Sequence, residues 1–217
     1  MKLCTIIGMG PGMGLAIARR FGKGGYNIAM LARKAETLES AGLELGKEGI
    51  KAHGYLADAG DPAKLTTVLD AVHAQHGNTT VLVYNAAILK PGTLAGLTTE
   101  RLREEFRVNV AGAVTAVQAV LKPMKNEGGG SILFTGGGFG LEPNPEWLSL
   151  SIGKAGLRNL AFSLHEELGS QNIHVGVVTI CGYVGSSAHF AADNIAEAYW
   201  QLHADPRGAY RPEIQYR

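Results

Sequence analysis

The chain has 217 residues, 46% of them apolar and 18% charged, with 30 glycines; this length suits one α/β domain over 1–217 that buries roughly 70% of its unfolded surface. Lys+Arg 20 against Asp+Glu 19 leaves +1, too little to hold nucleic acid or an acidic membrane by a broad field. Cys4 and Cys181 lie in apolar runs without metal or disulfide spacing, and no apolar run reaches the roughly 18 residues of a membrane span. The start, Met1-Lys2-Leu3, is cut short as a signal peptide by Gly8-Met9-Gly10-Pro11-Gly12, so a cytoplasmic location is expected.

Short β-rich runs alternate with longer helical ones, the pattern of a parallel sheet covered on both faces. A first strand over 3–7 leads through a glycine loop into an Ala/Arg-rich helix ending near Gly24-Gly25. A second strand over 26–32, a helix over 35–48 and a third strand over 50–56 follow. Asp58-Ala59-Gly60-Asp61-Pro62 then reads as a turn, with Asp61 as N-cap and Pro62 in the first helical position of the next helix. The β-branched run 79–84 reads as a strand buried on both sides. One long helix is expected over 98–124, apolar on every side between Val108 and Val114, which predicts a further cover such as a second subunit. A fifth strand over 131–135, a helix over 147–168, a sixth strand over 173–180 and a last helix over 191–203 complete the order. The ending holds at most a stub of a seventh strand, which Pro212 confines to the sheet edge.

Gly8, Gly10, Gly12 and Gly14 lie directly between the first strand and the first helix. Glycine permits positive φ and close backbone approach, and the N–H groups of a helix N-terminus attract phosphate. Position inside a βαβ unit lifts this loop from a tight turn to a nucleotide-binding candidate. No G-x-x-x-x-G-K-[ST] occurs, which excludes a P-loop.

The spacing Gly8, three residues, Gly12, one residue, Gly14 resembles the G-x-x-x-G-x-G loop of the short-chain dehydrogenase/reductase family. Asp58 after the third strand, Asn85-Ala86 within Tyr84-Asn85-Ala86-Ala87 (both flanks changed from the family's N-N-A-G), Asn109 in the long helix and Lys154 match further positions of that family, and Cys181-Gly182 stands where it usually has Pro-Gly, so the resemblance covers essentially the whole chain. It implies a Rossmann-type doubly wound parallel sheet with helices on both faces. It also implies a nicotinamide cofactor held by Gly8, Gly10, Gly12, Met13, Gly14, Asp58, Asn85, Ala86, Lys154 and Gly182. The NAD-binding pattern places an acid after the second strand, whereas this chain has Arg33-Lys34. Cations there suit a ribose 2′-phosphate, so NADP(H) is expected over NAD(H).

In the family a tyrosine exchanges a proton with the substrate oxygen, a lysine four residues later tunes it and binds the nicotinamide ribose, and a serine orients the oxygen. Four residues before Lys154 stands Leu150, and thirteen before that stands Gly137. Gly130-Ser131-Ile132 on one side and Lys154-Ala155-Gly156 on the other support this register. Asn109 and Lys154 remain as remnants of the tetrad. General acid–base help is worth about 10²–10⁴-fold, so activity is expected to be weak or absent.

Tyr183 is the leading substitute donor, because the family's chain runs past the nicotinamide there. Ser149 and Ser151 lie about 100° away from Leu150 on the helix, and Thr135 sits deeper in the sheet; Tyr84, His189 and Glu142 read as packing or surface residues. The histidines at 53, 73, 76, 165, 174 and 203 lack metal-ligand spacing. Trp147 and Trp200 read as packing residues, Trp147 alternatively as a pocket wall. Three functions follow as expectations: an NADP(H)-binding protein with a broken relay, an oxidoreductase of a small carbonyl or alcohol using Tyr183, or a nucleotide-sensing module that binds a partner. A homodimer is the expected assembly, with a tetramer as the alternative, whose tail-mediated half the short ending does not support.

Overall fold

The aliphatic runs of the chain become strands, and the computed structural model describes them within residues 2–217. They are β1 (Leu3–Ile7), β2 (Asn27–Ala32), β3 (Ala52–Leu56), β4 (Val81–Tyr84), β5 (Gly130–Thr135), β6 (Ile173–Ile180) and β7 (Glu213–Tyr216). All pair in parallel, in the order β3-β2-β1-β4-β5-β6-β7. The order reverses between β1 and β4, the switch point at which open α/β sheets leave a crevice beyond their C-terminal ends. The expected Rossmann-type sheet is therefore present, and the seventh strand lies at its edge immediately after Pro212.

Strand alternation sorts side chains to two faces. Cys4 and Ile6 of β1, with Val81 and Val83 of β4, face α1 (Met13–Lys23), α2 (Ala35–Lys47) and, toward the other edge, α7 (Ala192–His203). Leu3 and Ile7, with Leu82 and Tyr84, pack toward α3 (Pro62–His76), α5 (Gly112–Asn126) and α6 (Leu148–Leu168). Asp61 caps α3 by accepting from the Lys64 amide at 3.1 Å, with Pro62 in its first turn.

The expected single long helix is instead interrupted. α4 (Thr99–Phe106) passes into a π-helical turn at Arg107–Ala111 before α5 begins. A wide turn disturbs the helical ladder, and neighbouring groups take up its polar atoms. The Tyr84 phenol donates to the Val108 carbonyl at 2.5 Å, and Asn109 Oδ1 accepts from the Ile88 amide at 2.7 Å. Gly112 completes the fit, since a Cβ there would collide with the Ala59 carbonyl and the Tyr84 hydroxyl. Asn109 and Val110 are buried, whereas the apolar Ala111 faces outward.

Candidate cofactor and substrate cleft

The glycine loop closes tightly where it must and stays open where a ligand would come. Gly8 has φ +96°, and a Cβ on it would run into the Ala86 amide; one on Gly14 would come within 2.9 Å of the Gly8 carbonyl. These two glycines let the loop and helix pack together. A Cβ on Gly10 or Gly12 would meet nothing within 4 Å. Bare backbone therefore faces open space beside the N-terminus of α1, which Gly12 leaves without a side-chain cap. That cradle fits a pyrophosphate.

Two cavities flank the loop at the C-terminal edge of the sheet. The first, about 260 Å³, is lined by Gly8, Met9, Arg33, Asp58, Asn85 and Ala86 among others. Asp58 also braces its own turn, accepting from the Gly60 amide at 2.9 Å. Lys34, expected beside Arg33, does not line this cavity but stands exposed at the N-cap of α2; the chain turns away into the helix after Arg33. The second cavity, about 790 Å³, shares Asn85 and Ala87 with the first and is lined by Gly12 and Met13. Gly137, Leu150, Lys154, Gly182 and Tyr183 surround the rest of it.

Lys154 is buried, and its Nζ donates to the Thr135 carbonyl at 2.7 Å. Burial pushes the ammonium down to about 8. A Cβ on Gly137 would lie 3.4–3.5 Å from the aliphatic stem of Lys154, an ordinary van der Waals contact. The Thr135 hydroxyl is fully committed: it accepts from the buried Tyr199 phenol and donates to Asn85 Oδ1, both at 2.8 Å. The Asn85 amide in turn donates to the Gly8 carbonyl at 2.8 Å. One polar chain thus joins α7, the end of β5, the end of β4 and the glycine loop.

Other sequence candidates fall elsewhere. Tyr84 is buried with its phenol spent on Val108, and burial raises its pKa. Ser149 and Ser151 are buried off the cavity, the second bonding Asn144, while Glu142 and Trp147 do line it. His189 holds the Arg217 carbonyl at 2.6 Å. Asn109 touches neither cavity; it ties the π turn to Ile88 and packs its Cβ within 2.9 Å of a Cβ position at Gly153. Sequence reasoning passed over Phe139, Leu141, Leu89 and Arg217, all on the larger cavity. No helix among the described residues is long and apolar enough to cross a membrane.

Comparison with known proteins agrees with this architecture. The short-chain dehydrogenase family profile matches residues 2–196, and the chain belongs to that family. It is 30% identical over 178 residues to "Oxidoreductase asL5" of Sarocladium schorii, covering 82% of this chain and 70% of that protein. It is 29% identical over 208 residues to the 2,3-dihydro-2,3-dihydroxybenzoate dehydrogenase of Bacillus subtilis, covering 96% and 76%. A short-chain dehydrogenase structure from Rhodopseudomonas palustris superposes with TM-score 0.90 at 25% identity, over 100% of this chain and 98% of the other. A metagenomic short-chain oxidoreductase solved with NADP gives TM-score 0.89 at 24% identity, over 98% and 95%. The brief C-terminal segment is thus compatible with whole-chain superposition on solved members of the fold.

Proposed function

We propose that this member of the short-chain dehydrogenase family binds NADP(H) in preference to NAD(H) and has lost the serine–tyrosine relay, leaving weak or absent carbonyl reduction. The observation that carries the reading is the larger cavity, where Gly137, Leu150 and Lys154 stand together. Leucine neither donates nor accepts a proton, and glycine presents no side chain to a carbonyl oxygen. When bound, the nicotinamide would exchange hydride with the carbon of a carbonyl or alcohol. The glycine loop and the N-terminus of α1 would hold the pyrophosphate, Asp58 the adenine, and Lys154 the nicotinamide ribose. Arg33, on the smaller cavity, would hold the 2′-phosphate with paired hydrogen bonds. None of these binding groups depends on the missing relay, so affinity for cofactor survives its loss.

Titration of NADPH by fluorescence, followed by a screen of ketones, aldehydes and quinones for oxidation of the bound cofactor, tests the proposal. Micromolar binding without appreciable turnover supports it; no binding, or brisk turnover, overturns it. A second reading rests on Tyr183, which also lines the larger cavity and is 70% exposed. Its phenol would then give the proton to the substrate oxygen, and a Tyr183→Phe variant would abolish whatever turnover the screen finds.

For assembly we propose a homodimer across α4 and α6. Phe106 at the end of α4 and Ile152 on α6 are apolar and 40% and 39% exposed, and a Cβ position at Gly156 lies 3.6 Å from the Phe106 ring, which supports this reading. The free state of Cys4 and Cys181 is consistent with a reducing, cytoplasmic setting.

A further inference from the structure

Arg217, the residue immediately after β7, lines the larger cavity. Along β7, side chains two residues apart share a face, and a polar ladder runs through Glu213, Gln215 and Arg217. Arg158 of α6 grips Glu213 with two hydrogen bonds of 2.8 Å, and the Thr179 hydroxyl adds a third at 2.5 Å. The Gln215 amide nitrogen donates to Glu213 Oε2 at 3.0 Å, which fixes its oxygen as an acceptor. That oxygen receives Arg217 Nε at 3.2 Å and Nη2 at 2.9 Å. The backbone holds the same register: the Cys181 amide donates to the Tyr216 carbonyl at 2.8 Å, and His189 to that of Arg217 at 2.6 Å. Arg217 is thereby carried past the C-terminal end of the sheet to the cavity, with the remaining guanidinium N–H groups left over from the ladder.

The charges on this cavity are Lys154 and Arg217 against Glu142, two cations and one anion. Arg217 makes no ion pair among the described residues, and its side chain is exposed to solvent. Much of the remaining lining is apolar, and Phe139 and Trp147 in it lie 6.1 Å apart between ring centres with 30° between planes. A few fixed polar groups in an apolar pocket set ligand orientation, and an arginine braced by its own hydrogen bonds is prepared for a two-pronged carboxylate contact.

We infer that the larger cavity takes an organic carboxylate with a flat apolar body, its anionic end held by Arg217 and its body against Phe139 and Trp147. The inference rests on reading this cavity as the ligand pocket beside the nicotinamide, and its test separates the two. Calorimetric titration uses 2-naphthoate and the neutral 2-naphthamide as probes, on the protein with and without saturating NADPH, whose own binding is measured first. The natural protein binds naphthoate about tenfold more tightly than naphthamide. Arg217→Gln abolishes that preference while leaving the affinity for naphthamide and for NADPH within twofold, and Arg217→Lys retains part of it. Gln215→Leu, which releases the guanidinium from its ladder, reduces the preference as well. Naphthoate preference without NADPH binding upholds the inference while refuting the cofactor reading. Equal affinity for the two probes, no binding of either, or a preference that survives Arg217→Gln overturns it.

Discussion

Gly137 and Leu150 line the larger cavity beside Lys154, and both positions were legible from the sequence because they fall at fixed spacings from that lysine. Arg33 was legible for the same reason, as the first residue after β2. Lys34 was not: an exposed helix cap and a ligand contact look alike until the chain's turn is known. Removing the guanidinium by Arg33→Ala is expected to weaken NADPH binding about tenfold or more while leaving NADH binding within twofold, since a charge-assisted pair contributes roughly 1.5–3 kcal/mol; parallel titrations measure both. Gly8 offers a different test. Its φ of +96° and the Ala86 amide 2.4 Å from where a Cβ would stand exclude a side chain. Gly8→Ala should therefore cost about 2 kcal/mol or more, read as a lowered urea midpoint without cofactor.

Among the elements, the strands and most helices follow from hydrophobic period and turn residues, as the Asp61-Pro62 start of α3 illustrates. The π turn does not. Val108, Val110 and Val114 continue the apolar character of the helix, and nothing local announces that the Val108 carbonyl will be taken by a tyrosine on β4. Placement of β7 was equally distant from local signals: the stub was readable, but its ladder to Arg158 depends on register with β6. Arg158 and its hydrogen bonds hold Glu213 down to about 2, against the opposing effect of its burial. Arg158→Ala leaves that carboxylate with one strong partner fewer, and should cost about 1.5–3 kcal/mol and speed amide exchange along β7. Unchanged exchange at Ile214 and Tyr216 would show that the strand is held by its backbone alone.

Across the whole molecule, buried His174 and half-buried His73 and His203 are expected to govern the response to acid. Burial lowers the pKa of His73 and His174, and that of His203 to about 4; His203 bonds Tyr26 at 2.6 Å and Ser131 at 2.8 Å. In the unfolded chain these rings titrate near 6.5, so below that pH the unfolded state binds more protons and stability falls as pH drops, continuing until the folded His203 itself titrates near 4. Glu213 adds a second decline, between its ordinary 4.5 and about 2. Urea midpoints measured from pH 7.5 to 4 should fall steadily below pH 6.5; a flat profile over that span would show that these rings are hydrated. Within the same molecule the glycine loop and Lys154 line different parts of one cleft, so the proposed loss of the relay leaves the proposed cofactor contacts in place.

The most direct test puts a tyrosine and a serine at the two positions proposed to have lost them. The room beside Lys154 accepts a serine Cβ at 137 at ordinary contact distance, and Leu150 borders a cavity of about 790 Å³. The rate at which bound NADPH is oxidised by a panel of carbonyl compounds is to be compared between the natural protein and the Leu150→Tyr/Gly137→Ser double variant. The account predicts a rise of at least about 10²-fold in the variant with NADPH affinity unchanged. Comparable, substantial rates in both proteins would contradict it, because the proton would then be reaching the substrate from a group already in place.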